Sequence, residues 1–207
     1  YKSTDGGDNF QLVQGETNKH EWTGFDIDQQ GNIIAVLSSE GYQSGGEPGI
    51  FYSTNDGNDW QNITPEEFPA EHDRSVVSFA PSDPDIAYVF TNKSGSSTNQ
   101  GVAFFKLDIG EGTAEDRSAN IPDFGNPVGG MNLQGGYNMT VSVKPNDPDF
   151  VFIGGTNLFR STDGFATQPE GGYDNGDTQQ KNEYWVGGYS ASNNVSQYEG
   201  QHPDQHV

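Results

Sequence analysis

A turn sequence comes back at intervals along this chain and constrains its fold more than any other feature. Ser3-Thr4-Asp5-Gly6-Gly7-Asp8-Asn9-Phe10 is followed by Ser53-Thr54-Asn55-Asp56-Gly57-Asn58-Asp59-Trp60, and Ser161-Thr162-Asp163-Gly164-Phe165 opens a third copy. The leading serines stand 50 residues apart (53 − 3) and then 108 apart (161 − 53), which is two steps of 54. A steady period of this size marks stacked supersecondary units, none of which buries its apolar face alone. The residue types suit a tight turn. The carboxylates of Asp5, Asp56 and Asp163 and the hydroxyls of Ser3, Ser53 and Ser161 are expected to bond backbone N–H groups of their own turns. Gly7, Gly57 and Gly164 supply positive φ, and Phe10 and Trp60 are expected to drop back into the apolar core.

Alternating apolar positions between the turns predict strands. One unit runs through 23–28, 33–37, 49–53 and 60–64. The next has strands at 75–80, 86–90 and 102–107, with Lys106-Leu107-Asp108 standing where a further copy of the turn would fall. The third has strands at 139–143, 150–153 and 158–160. Pro81-Ser82-Asp83-Pro84-Asp85 and Pro145-Asn146-Asp147-Pro148-Asp149 occupy matching places between first and second strands, where proline stops a strand from running on. No helical periodicity interrupts this antiparallel meander.

The pattern Ser-x-Asp-x-Gly-x-x-Trp/Phe resembles the Asp-box (BNR) repeat of sialidase-like and sortilin-like β-propellers, in which the box joins the third and fourth strands of a blade. The resemblance implies an all-β fold, a partial β-propeller of four-stranded antiparallel blades with Asp-box turns. On that scheme residues 1–16 end one blade, 17–64 and 65–120 form two more, 121–201 form a third with a long insertion, and 202–207 begin the next. Three blades do not close a ring, since propellers need about four to eight. The 207 residues are therefore expected to belong to a longer, secreted bacterial protein, with the rest of the same propeller as their first partner.

Composition narrows the remaining partners. Nine basic and 30 acidic residues give a net charge of −21, which makes nucleic acid an unfavourable partner. No run is apolar for long enough to insert directly into a membrane. With no cysteine, disulfides, zinc–thiolate sites and thiol catalysis are excluded. The Asp spacing inside the boxes does not follow a calcium loop, and no cofactor is expected.

Candidate site residues cluster on the loops opposite the boxes, which are unequal in length and chemically varied, as loops carrying function on a rigid scaffold are. They are Tyr42, His72 and Asp73, with Tyr184, Trp185 and Tyr189 in the long segment after the third box. Aromatics beside carboxylates suit a glycan or protein ligand through stacking and directed hydrogen bonds, and Trp185 is expected to act as an anchor. His202, Asp204 and His206 would lie on one side of an extended segment, where two imidazoles and a carboxylate could hold a divalent metal. His20 and His72 each stand seven residues before an aligned strand position (Ile27, Phe79), so they share one repeat position.

The resemblance to sialidases would require an arginine triad, yet only Arg74, Arg117 and Arg160 are present and Arg160 abuts a box. The reading taken is an extracellular or cell-surface binding propeller that recognises a glycan or protein ligand on the rim opposite the boxes. The alternative is a glycoside hydrolase of xyloglucanase-like type, using paired carboxylates across a cleft; no sequence feature selects the pair, and enzymatic activity stays open.

Overall fold

The computed structural model describes residues 1–15, 20–41, 47–93, 101–122, 131, 133–168 and 184–187. Among these residues, twelve strands form three four-stranded antiparallel sheets, each a meander in chain order. The first holds β1 (Thr23–Ile27), β2 (Ile33–Leu37), β3 (Gly49–Ser53) and β4 (Gln61–Asn62). The second holds β5 (His72–Ala80), β6 (Asp83–Lys93), β7 (Val102–Asp108) and β8 (Thr113–Asp116). The third holds β9 (Thr140–Val143), β10 (Val151–Gly154), β11 (Leu158–Ser161) and β12 (Trp185–Gly187).

Strand register makes the repeat explicit. Phe25 pairs with Ala35 and Ala35 with Phe51 across the first sheet. The corresponding rows are Val77–Val89–Phe105 in the second and Val141–Ile153–Phe159 in the third. Side chains alternate between faces along a strand, so the neighbouring rows Gly24–Val36–Ile50 and Val76–Phe90–Phe104 point the other way. Each apolar face therefore meets the opposite face of the next sheet. Ile34, Val36 and Ile50 of the first sheet share a buried cluster with Val77, Val89 and Phe105 of the second. Phe90 and Phe104 of the second share another with Val141, Ile153 and Phe159 of the third. Both clusters are built mainly from β-branched and aromatic residues, the types that fit a half-buried pleated surface.

The first strands of successive sheets lie side by side, β1 against β5 and β5 against β9, which is the blade arrangement of a partial propeller. Gly24 permits the closest of these approaches. A Cβ there would run into the Ser75 carbonyl, so the β1–β5 contact depends on a residue without a side chain. Asp26 adds a directed link, accepting the backbone N–H of Phe79 on Oδ2 at 2.8 Å.

The three turns share one hydrogen-bond scheme. In the first, Ser3 Oγ accepts the Gly7 N–H at 2.8 Å and Asp5 Oδ1 accepts the Asn9 N–H at 2.9 Å. The Asn9 side-chain amide, donating at 2.7 Å to Asp5 Oδ2, leads the bonds that hold this carboxyl down at about 2. In the third, Ser161 Oγ accepts the Phe165 N–H and Asp163 Oδ2 accepts the Thr167 N–H. Burial works against the Asp163 carboxylate, but the bonds from Ser161 and Thr167 outweigh it and hold the carboxyl below the usual range.

The second turn corrects the expectation for Asp56. Asn55 takes the equivalent role, its Oδ1 accepting the Asp59 N–H at 2.9 Å while its amide donates to Asp59 Oδ2 at 2.7 Å. Asp56 instead occupies a left-handed position with φ 58° and offers its carbonyl to Lys2 Nζ at 2.6 Å. The expected burial of the closing aromatics is corrected as well. Phe10 is 62% exposed, and Trp60 is half-buried with its indole N–H donating to the Gly57 carbonyl at 3.0 Å. In the third turn the buried aromatic is Phe165, which stands at the position of Gly7 and Gly57 and takes φ 61°.

A pair of substitutions separates the two neighbours in the second turn. Asn55→Ala is expected to cost about 1 kcal/mol, the loss typical of a removed side-chain cap. Asp56→Gly is expected to leave stability unchanged or raise it slightly, since Gly adopts that φ without strain. Urea denaturation of the two variants checks this, and a larger loss at Asp56 would contradict the assignment.

Candidate functional site

His72 stands at the start of β5 and is buried. Its Nδ1 faces the Pro69 carbonyl at 2.9 Å and its Nε2 the Leu37 carbonyl at 2.8 Å, while Phe68 meets the ring edge-on with centroids 5.0 Å apart. Burial, the largest influence, pushes the imidazole below its ordinary pKa. Its side chain thus ties the loop before β5 to the end of β2 and is not presented to a ligand. At the same repeat position, half-buried His20 donates from Nδ1 to the Ser38 carbonyl at 2.7 Å.

Trp185 lies in β12, paired with Phe159 and buried in the core shared by the second and third sheets. The expected rim anchor is thus a strand residue of the fourth position, and half-buried Tyr184 precedes it directly. The long segment after Ser161 joins a third strand to a fourth, which places its attachment on the side of the boxes. Tyr42, Tyr189, His202, Asp204 and His206 lie outside the described residues. Among the described residues, no group of three His, Asp or Glu side chains could hold a metal ion.

The rim opposite the boxes does gather polar and aromatic side chains, at the starts of the first strands. Counting back from the aligned residues Phe25, Val77 and Val141, Glu21, Asp73 and Tyr137 share one repeat position, and Trp22, Arg74 and Asn138 share the next. Because first strands are neighbours around the axis, these positions converge. The Arg74 guanidinium sits 5.8 Å from the centroid of the Trp22 ring, a cation–π contact. Its Nη1 donates to the Gly136 and Tyr137 carbonyls at 3.1 and 2.6 Å. One side chain thereby links the starts of all three first strands. Trp22 remains 39% exposed and Tyr137 61% exposed on either side of it.

Asp73 lies within this group, half-buried. Its Oδ1 accepts the Arg74 N–H at 2.8 Å and its Oδ2 accepts the Asn92 amide at 3.3 Å. Burial, reinforced by the negative charge of Glu40, holds its carboxyl above the ordinary carboxylate range. Glu40 is itself fixed through its backbone, its carbonyl accepting the Glu21 N–H at 2.5 Å and the Ser38 hydroxyl at 2.9 Å. Sequence reading found Asp73 but passed over Trp22, Arg74, Tyr137 and Glu40. The available signal was the alignment of successive first strands, which places residues 21–22, 73–74 and 137–138 around one axis.

No family model matches the sequence, and no curated protein matches it. Among solved structures, the chain is similar to a GH74 xyloglucanase from Xanthomonas campestris, with a TM-score of 0.45 and 18% identity over 69% of this chain and 20% of that one. It is also similar to a GH74 enzyme from Niastella koreensis, with a TM-score of 0.44 and 20% identity over 70% of this chain and 21% of that one. The chain thus spans about a fifth of the length of either structure. The architecture itself is that of three consecutive four-stranded blades, and no helix among the described residues is long and apolar enough to cross a membrane.

Proposed function

We propose that this chain is part of a secreted, carbohydrate-recognising propeller whose saccharide ligand lies across the rim opposite the boxes. The observation that carries the reading is Arg74, next to Asp73 in the chain, which packs on the ring of exposed Trp22 and bonds the backbone carbonyl of exposed Tyr137. Flat aromatic faces take the apolar faces of sugar rings, and carboxylates and amides take the hydroxyls. The net charge of −21 disfavours polyanionic saccharides, so a neutral polysaccharide is the expected class.

A hydrolytic reading is favoured by the half-buried setting of the Asp73 carboxyl, where burial and the charge of Glu40 work against ionisation while bonds from the Arg74 N–H and the Asn92 amide work for it. Glycoside hydrolysis needs one protonated carboxyl to protonate the leaving oxygen and a second carboxylate to attack or to activate water. Burial beside another negative charge is the way a carboxyl keeps its proton for that task. In this reading Asp73 is the proton donor, while Trp22 and Tyr137 hold the chain of sugars.

Two variants of the whole protein, assayed on a panel of neutral polysaccharides with xyloglucan first, separate the readings. Trp22→Ala with Tyr137→Ala is expected to weaken binding at least tenfold with folding intact, which corresponds to about 1.4 kcal/mol. Asp73→Asn is expected to leave binding within a few-fold and, where cleavage occurs, to slow it by about 10²–10⁴. Unchanged affinity in the folded aromatic variant would remove the rim as the ligand site. Normal cleavage by Asp73→Asn would leave binding as the function and discard the proton donor.

A further inference from the structure

β5 carries a bulge at the rim. His72 pairs with Lys93 and Ser75 with Thr91, and the register shifts between them. Asp73 and Arg74 therefore stand together opposite Asn92, two residues against one. Consecutive side chains of a regular strand alternate between faces. The bulge lets the Asp73 carboxylate reach the Asn92 amide while Arg74 reaches the Tyr137 carbonyl. Asn92 is 5% exposed, and its Nδ2 donates one N–H to Asp73 Oδ2 at 3.3 Å. The amide has a second N–H and the carboxylate oxygen a second lone pair, so the pair offers a donor and an acceptor side by side.

The segment that crosses the bulge holds an unusual backbone. Gln134, Gly135 and Gly136 have φ of 49°, 71° and 87°, all in the left-handed region that favours glycine. The turn is pinned at its ends, where the Asn138 N–H donates to the Leu133 carbonyl at 3.0 Å and the Asn138 amide to Gln134 Oε1 at 2.7 Å. Leu133 and Asn138 are both fully buried. Gly136 is the residue that faces the bulge. A Cβ there would stand 3.5 Å from Asn92 Nδ2, 3.5 Å from Arg74 Cβ and 3.9 Å from Asp73 Oδ2. A Cβ on Gly135 would meet nothing within 4 Å among the described residues. The two glycines share a backbone conformation and differ in what they leave uncovered.

We infer that the space beside Gly136 is a subsite for one hydroxyl group of the ligand, which donates to Asp73 Oδ2 and accepts from Asn92 Nδ2. The subsite rests on the saccharide reading of the rim and supplies its polar half, with Trp22 and Tyr137 as the aromatic half. A hydroxyl both donates and accepts, so it matches the pair, whereas a carboxylate or an ammonium matches only one member of it. An oxygen bonded to both atoms lies about 3 Å from each. Entering from the side of Gly136, it would occupy the place that a methyl at that position takes.

Calorimetric titration of the 207-residue chain with xyloglucan, galactomannan and a linear β-glucan tests the subsite. Gly136→Ala is expected to weaken binding about tenfold or more, and Gly135→Ala, which carries the same left-handed strain, to change it less than about twofold. The urea midpoints of both variants are expected to fall by similar amounts, because the methyl at 136 makes only ordinary contacts. Asn92→Leu, close in volume, removes the donor without touching the turn and is expected to weaken binding about fivefold. Unchanged affinity in folded Gly136→Ala or Asn92→Leu, with the Trp22→Ala, Tyr137→Ala variant weakened, would overturn the subsite and leave the rim reading standing. Equal weakening in the two glycine variants would also overturn it, by assigning the loss to the turn. An unaltered chain that binds none of the three polysaccharides would remove the rim reading and the subsite with it.

Discussion

Phe104→Ala is expected to lower the free energy of unfolding by about 3–5 kcal/mol, the range for truncating a fully buried aromatic. Phe104 is fully buried at the centre of the larger core. Its ring stacks on Tyr88 with centroids 5.7 Å apart and meets Phe90 and Phe165 edge-on at 6.1 and 5.5 Å. Removing it opens a cavity between two sheets that are each stiffened by their own ladders, so collapse around the void is limited. The neighbourhood is also fixed by polar ties. Tyr88 donates to the Pro148 carbonyl at 3.1 Å, and Asp149 receives Lys106 at 2.7 Å. Arg117 donates to the Asp163 and Gly164 carbonyls at 3.1 and 2.8 Å. Phe25→Ala in the same 207 residues removes a ring that is 66% exposed and is expected to cost less than about 0.5 kcal/mol. Urea denaturation at one temperature compares the two. A loss below 1 kcal/mol at Phe104 would contradict the description of the second and third sheets as one packed body.

The contrast between these phenylalanines shows what the sequence conveys and what it withholds. Both belong to alternating apolar strands, and that alternation was enough to place ten of the twelve strands and the meander connecting them. β8 was missed because Thr113–Asp116 is an exposed outer strand. It has no buried face to write an apolar pattern, although it pairs with β7 at all four of its residues. β12 was missed because its three residues come after a long connection, where Trp185 read as a loop aromatic. Within the second turn, the choice between Asn55 and Asp56 turned on charge in the reading and on geometry in the fold: the amide oxygen of Asn55 accepts as well as a carboxylate does at that position. The site shows the same limit. Asp73 could be singled out as a carboxylate on a varied loop. Its grouping with Trp22 and Tyr137 depends on first strands from three sheets meeting at an axis, and no local pattern in the chain records that.

His72→Ala is expected to cost about 2–4 kcal/mol, because it removes a donor from buried carbonyls and leaves space against Phe68. The ring faces two acceptors, the Pro69 and Leu37 carbonyls, and a neutral imidazole has one N–H to offer. The second bond would favour the imidazolium, but burial outweighs it, and the nearby His20 acts in the same direction as burial. Folded His72 therefore binds its proton less readily than the unfolded chain, whose imidazole titrates near 6.5. As pH falls through 6.5, the unfolded state takes up the proton first, so the stability due to neutral His72 is fully present above that pH and declines below it. Asp73 works in the opposite sense. Its carboxyl is raised in the fold, so it protonates before its unfolded counterpart and adds stability as the solution becomes acidic. The difference in unfolding free energy between the native protein and His72→Ala isolates the histidine. That difference is expected to be largest at neutral pH and to shrink as pH drops below 6.5, and a difference that grows on acidification would show that the buried ring is held as the cation, bonded to both carbonyls.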